Sequence, residues 1–416
     1  MDITKLSDDE LEVLIQLYDS KKGVLLRKKE LEKKIIETLD KIKNIEKELL
    51  ILKNEYQEGG ENKKIISMLL CVSLCMAVSF TTAACTETKV ATETVTVTDM
   101  LGETITVKKN PKKVACASRT TYDLLIAFGL GDCIDGAYYA LLDNEWAAVF
   151  DEKANERYSL AYEESYETYI ARGVDIVFAP EKYVADGLKE HGIKALNVSL
   201  YGNPDFGGYV YFFADLVKQI WDSEEITRRV DSWKTKMQST IEEIQAELAK
   251  HDGKQRTVYY VRGDKNKGVG YTDQVGSFTE YAYKVLGMKP LNDRFKSNRP
   301  SAEEICAQNP DVFVVGGIYQ RKLINALQEE PYKHLDAVKN NRIFNIPIGL
   351  TMFEQLSVFS PVFLCDQANK LYPEYFDYDV KKQIRDLSKE FFGAELTDSE
   401  AQNMLDGLSR EGNSLV

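Results

Sequence analysis

Residues 212–250 contain no proline or glycine and carry Leu216, Val217, Ile220, Ile226, Val230, Trp233, Met237, Ile241, Ile244 and Leu248 at helical spacing. This period predicts one long amphipathic helix. On either side of it, short apolar runs alternate with amphipathic helices, the pattern of parallel α/β units. A long helix joining two such halves is a stiff strut, and it limits hinge closure to small rocking where loop linkers allow wide opening.

In the first half, residues 95–97 and 104–107 flank Leu101-Gly102-Glu103 and read as a hairpin. Strands are then predicted at 114–117, 134–138, 175–179 and 195–198, with helices at 122–128, 166–171 and 185–191 between them. The second half repeats the plan, with strands at 257–261, 312–315 and 342–346 and helices at 277–286, 303–307 and 332–338. The strongest echo sets Glu167, seven residues and Asp175-Ile-Val-Phe-Ala against Glu303, seven residues and Asp311-Val-Phe-Val-Val. The fold class is therefore α/β, with two related lobes, at 99–211 and 251–376, a linker helix at 212–250 and a C-terminal helical tail at 377–416.

The N-terminal part has another character. Residues 1–60 carry apolar side chains at helical spacing among Glu and Lys, and predict a coiled-coil-like helical hairpin broken near Ser20 to Gly23. Lys63-Lys64 precede an apolar run from 65 to 80, and Thr81-Thr82-Ala83-Ala84-Cys85 follows. A basic start, an apolar core and small residues before a Cys form the pattern of a bacterial lipoprotein signal over 61–85, with Cys85 as the lipidated residue. An uncleaved membrane helix over 65–84 is the other reading. Because such signals open a chain, residues 1–60 are expected to come from a start codon set too far upstream. A Thr-rich tether is expected over 86–98.

Composition narrows the chemistry. The net charge of −13, with no Lys/Arg block, disfavours duplex nucleic acid as a partner, since phosphate binding needs a basic face. Only three His (His191, His251 and His334) leave little for a multi-histidine metal site, and the seven Cys show no paired metal-ligand spacing. No G-x-S-x-G, P-loop, H-E-x-x-H or G-x-G-x-x-G stands between a strand and a helix, so an enzyme is not expected. Cys116 and Cys133 read as buried apolar residues.

Several short strings then occur in order: Val114-Ala-Cys-Ala-Ser118, Phe128-Gly129, Gly173-Val-Asp-Ile-Val-Phe-Ala179, His191-Gly-Ile-Lys194, Ser301-Ala-Glu-Glu304, Asn309-Pro-Asp-Val312 and Leu335 to Ile343, leading to Ile346-Pro347. With the signal and the long helix, they resemble the substrate-binding lipoproteins of ABC importers for iron-siderophores, haem and cobalamin, over about residues 94–375. The resemblance implies a protein lipid-anchored on the extracytoplasmic face of the cell membrane, working with an ABC permease dimer and its cytoplasmic ATPase. It also implies one exposed Glu per lobe docking to arginine pockets of the permease, here Glu167 and Glu303. Favourable placement of Glu at a helix N-terminus accounts for both equally well.

In that fold the ligand sits between the lobes, at strand carboxyl ends. The candidates there are Arg119, Thr120, Tyr138, Tyr139, Tyr183 and Tyr201 from the first lobe, and Arg262, Tyr271, Tyr319, Met352 and Phe353 from the second. Arg119 with its Ser/Thr neighbours suits an anionic group at a helix start, or is a surface arginine beside a cap. Any one Tyr serves a core as readily as a ligand, and their clustering at equivalent strand ends favours the ligand. Arginines in both lobes favour an Fe(III)-siderophore over cobalamin or haem. A membrane-tethered sensor with a cytoplasmic coiled coil is the alternative from another class.

Overall fold

The computed structural model describes residues 93–199, 207, 210–251, 255–264 and 266–415. The expected hairpin at 1–60, the signal with Cys85, and Tyr201 lie outside the described residues. The described residues belong to one compact unit, Thr92–Val416.

The unit opens with β1 (Thr94–Thr98) and β2 (Thr104–Lys108), antiparallel with Thr94 facing Lys108. The tether expected to reach residue 98 therefore gives way at Thr94, because Val97 is buried at 2% exposure and anchors a strand. Asp99 closes the turn, accepting from the Leu101 and Glu103 amides at 3.0 Å each, and Gly102 supplies the positive φ of 81°.

Two parallel sheets follow. The first runs β5 (Tyr158–Leu160), β4 (Ile134–Tyr138), β3 (Val114–Cys116), β6 (Ile176–Ala179), β7 (Ala195–Asn197). The second runs β9 (Lys289–Pro290), β8 (Thr257–Val261), β10 (Val312–Val315), β11 (Ile343–Asn345). Apart from the extra edge strand β5, the two orders are the same when β3 is set on β8 and β6 on β10. The chain reverses its direction of travel across the sheet beside β3 in one lobe and β8 in the other.

The echo seen in the sequence has matching structure. Helices Tyr166–Arg172 and Ala302–Gln308 both start on a Ser cap, with Ser165 and Ser301 accepting from the amides of Thr168 and Glu304. Both end on a left-handed residue, Gly173 or Asn309. Asp175 then accepts from the Lys112 and Lys113 amides just before β3, and Asp311 accepts from the Thr257 amide at the start of β8. Each carboxylate thus holds the entry of its lobe's central strand.

The linker departs from expectation. Two helices, Phe212–Ile220 and Glu224–Leu248, replace the single one. Asn110 breaks the ladder: its amide donates to Ile220 O at 2.9 Å, and its side-chain oxygen accepts from the Asp222 amide at 3.0 Å. Ser223 then caps the second helix. The spacing of apolar residues hid this stop because the break needs no Pro or Gly, only a partner distant in sequence. The remaining strut has 25 residues, a length of about 37 Å at ~1.5 Å per residue. Its buried stripe of Ile226, Val230, Trp233, Met237, Ile241 and Ile244 faces the helix Ser360–Leu371 among others. Further departures are small: the helix expected at 332–338 is two short turns, and β5, β9 and a helix at Gln320–Leu327 were not anticipated.

One apolar core joins the inner faces of both sheets to the strut, running from Val97 and Phe178 through Trp233 to Phe363 and Met404. A smaller core backs each sheet on its outer face. The lobes also bond directly. Asn144 Nδ2 donates to Gly349 O at 2.7 Å, Trp146 Nε1 to Leu408 O at 3.0 Å, and the Val358 amide to Asp123 Oδ1 at 2.7 Å. Among the described residues no helix is long and apolar enough to cross a membrane.

Candidate functional site

The carboxyl ends of both sheets open onto a cleft between the lobes, the usual place for a ligand in parallel α/β structures. It has two compartments that share Arg119 and Tyr138, one of about 540 Å³ and one of about 380 Å³.

The first-lobe wall is built on the helix Arg119–Ala127, which follows β3. Ser118 is its N-cap residue, makes no side-chain cap bond, and no acid lies in the first turn. Positive helix-end charge and the Arg119 guanidinium therefore coincide at the cleft. Arg119 lies over the Tyr138 ring at 4.7 Å, and Tyr138 meets Tyr139 at 4.7 Å and Tyr162 at 6.0 Å, edge to face. Burial pushes the Tyr138 and Tyr162 hydroxyls above the usual range, so both stay protonated donors. Glu181, after β6, is also raised by burial, against the pull of Arg262 and a hydrogen bond from Tyr162.

The facing wall repeats the device. Arg262, the first residue after β8, lies over the Tyr271 ring at 5.4 Å, and Lys267 approaches that ring at 4.1 Å. The Tyr271 carbonyl accepts from the Arg262 amide at 2.8 Å, which fixes the loop. Arg119 and Arg262 thus follow the two strands beside which the chain reverses, one in each lobe.

Behind Arg262 the packing is tight. A side chain at Gly263 would place its Cβ 1.9 Å from the Gly316 carbonyl oxygen, so only glycine lets the loops after β8 and β10 cross. Glu354 holds that crossing from below, accepting from the Gly317 amide at 2.9 Å and from the Tyr260 hydroxyl at 3.2 Å. Burial raises its carboxyl to about 7.

Of the candidates, Arg119, Tyr138, Tyr139, Arg262, Tyr271, Tyr319 and Met352 line the cleft. Three do not. Thr120 points into the first lobe, 2% exposed. Tyr183 is 57% exposed on the surface, with its hydroxyl donating to Glu163 at 3.1 Å. Phe353 is fully buried and stacks on Phe359 at 4.9 Å, a core contact that its place after a strand did not reveal. Sequence reasoning missed Tyr162, Lys267, Gln355 and the acids Asp143, Glu145 and Asp264, all of which line the cleft. Tyr162 was lost with β5, a three-residue strand too short to show a period. Glu167 and Glu303 are exposed, each the second residue of its echoing helix. Those helices run back toward the strands they precede, which sets both glutamates at the cleft end of the sheets. Among the described residues no group of three or more His, Cys, Asp or Glu is placed to hold a metal ion.

Similar folds occur among solved structures. An ABC transporter solute-binding protein from Sulfurospirillum deleyianum is 17% identical, with a TM-score of 0.61 over 75% of this chain and 99% of that one. The molybdate periplasmic binding protein MolA of Haemophilus influenzae is 16% identical, with a TM-score of 0.61 over 73% and 99%. CeuE of Helicobacter pylori, in a Ni-His complex, is 17% identical, with a TM-score of 0.59 over 75% and 99%. At these identities the likeness establishes a common fold. No curated protein matches the sequence. The family model described as periplasmic binding protein matches residues 175–348, which run from the fourth parallel strand of the first lobe to the cleft wall of the second, so that this chain shares the fold of ABC solute-binding proteins over about three quarters of its length and the family's sequence pattern over that span.

Proposed function

We propose that this chain is the extracytoplasmic substrate-binding lipoprotein of an ABC importer, which captures a ferric siderophore between its lobes and delivers it to a membrane permease. The observation that carries this reading is the pair Arg119 and Arg262, set after equivalent strands on facing walls, each over a tyrosine ring. Guanidinium forks and phenol hydroxyls suit the charged oxygens of a chelate, and the ring faces suit its bulk. Cobalamin would gain less from two opposed arginines. Glu167 and Glu303 are the proposed contacts to arginine pockets on the permease, and lipid on Cys85 is the proposed anchor.

Thermal-shift titration of the detergent-solubilised chain with ferric siderophores, haemin and cobalamin tests the ligand. A ferric siderophore should raise Tm and quench tryptophan fluorescence, and Arg119→Ala or Arg262→Ala should weaken binding by at least ~1.5 kcal/mol. A shift with cobalamin or haemin alone, or none with any ligand, overturns the reading. Mass spectrometry of membrane extracts tests the anchor: a diacylglyceryl Cys85 at the N-terminus supports the lipoprotein, and an intact Met1 supports a tethered sensor.

A further inference from the structure

We propose that the cargo has two unlike ends: an oxygen-rich chelate head in the smaller compartment and a free alkylammonium arm in the larger one. This rests on reading the cleft as an iron-chelate site and adds the class of chelate.

The charges in the cleft are sorted by compartment. The smaller one presents Arg119, Arg262 and Lys267 against the single acid Glu181. The larger one presents Asp143, Glu145 and Asp264 against Arg119 alone. Among the described residues Asp143 and Glu145 have no ion-pair partner, and Asp264 reaches Lys267 only at 3.9 Å. A uniformly anionic cargo filling both compartments would press its charge against these three carboxylates.

The lining between the acids is apolar and uncovered. Tyr139 is 46% exposed and Ile318 39% exposed, and both face this compartment beside Leu350 and Met352. An alkyl chain would cover that surface and carry a cation to the acids. A second feature also calls for a ligand. Thr351 lines the compartment, is 2% exposed, and its hydroxyl has no hydrogen-bond partner. A buried hydroxyl left unmade is costly, and a turn of this side chain toward the compartment would let an amide or ammonium on an incoming arm satisfy it. Because Arg119 and Tyr138 border both compartments, a single ligand can span them.

The test uses the full chain in detergent and two probes: ferrioxamine B, a ferric trihydroxamate with one free primary amine, and its N-acetyl form, which differs by that one charge. Acetylation should weaken binding by at least about tenfold, the worth of a charged hydrogen bond. In the double variant Asp143→Asn/Glu145→Gln, two exposed positions whose change leaves the fold alone, the two probes should bind within about threefold of each other. Equal binding of both probes to the native chain overturns the two-ended cargo and leaves the iron-chelate reading standing. So does preference for ferric enterobactin, a trianionic catecholate without an amine. Binding of no ferric chelate at all overturns both.

Discussion

Arg262 donates from Nη1 to Oδ1 of the buried Asp273 at 3.2 Å, while the other carboxylate oxygen of Asp273 accepts from Thr279 Oγ1 at 2.8 Å. The guanidinium is therefore aimed from behind by a carboxylate that does not line the cleft. Burial raises that carboxyl even beside its cation. Removing the cation should cost more than one contact, because Asp273 would be left buried with less compensation. Arg262→Ala should lower both ferric-siderophore affinity and Tm. Arg262→Ala/Asp273→Asn should regain the Tm and not the affinity, as a thermal-shift and titration cycle would read. Equal loss of Tm in the single and double variants would refute the aiming role.

Glu181 sets a pH dependence on binding. Its carboxyl titrates above the usual 4.5 because it is buried, with Arg262 and Tyr162 opposing. Ionised, it subtracts from the positive field that the chelate oxygens meet. As pH falls from neutral toward 4.5 it takes up a proton and the subtraction ends. Affinity should therefore rise over that range in the native chain relative to Glu181→Gln, which should bind more tightly at pH 7 and show the flatter profile. Parallel profiles for the two proteins would exclude Glu181.

Asp123 makes the stability of the whole unit depend on pH. It sits in the first-lobe helix, accepts from the Val358 amide of the second lobe at 2.7 Å, and has no partner for its other oxygen. Burial lifts its carboxyl from 3.8 to about 7. The folded chain thus holds this proton more tightly than the unfolded chain does. The penalty for ionising it is absent below 3.8 and grows as pH rises toward about 7. Asp123→Asn keeps the acceptor and cannot ionise. It should gain stability over the native chain by ~2–3 kcal/mol on going from pH 5 to pH 8, measured by urea unfolding. A constant difference across that range would contradict the assignment.

How much of this was legible in the sequence depended on whether the deciding contact was local. The echo of Asp175 and Asp311 could be read because each carboxylate, helix and strand lies in one short segment, and the two sheets share their strand order. Arg119 and Arg262 could be placed at the cleft because each lies within three residues of the end of an apolar strand. The stop at Asp222 could not be seen, since Asn110 imposes it from more than a hundred residues away. Phe353 follows a strand in the same way as Met352, yet its ring turns inward to stack on Phe359. Only the packing of the second lobe decides between those two directions.

Phe150 of the first lobe packs against Phe359 at 5.7 Å and Phe392 at 4.9 Å, both from the second half of the chain. Phe150 and Phe359 belong to the core that also encloses the strut, and Phe392 packs against it. Well-packed interiors of this kind resist continuous deformation. The radius of gyration from X-ray scattering should therefore change by less than about 1 Å when a ferric siderophore is added, as small rocking requires. Phe150→Ala would leave a cavity at the junction, cost ~3–5 kcal/mol of stability, and let the lobes part. Its ligand-free radius should exceed the native value and shrink on binding. A native chain that contracts by several ångströms on ligand addition would show that this aromatic joint does not hold the walls.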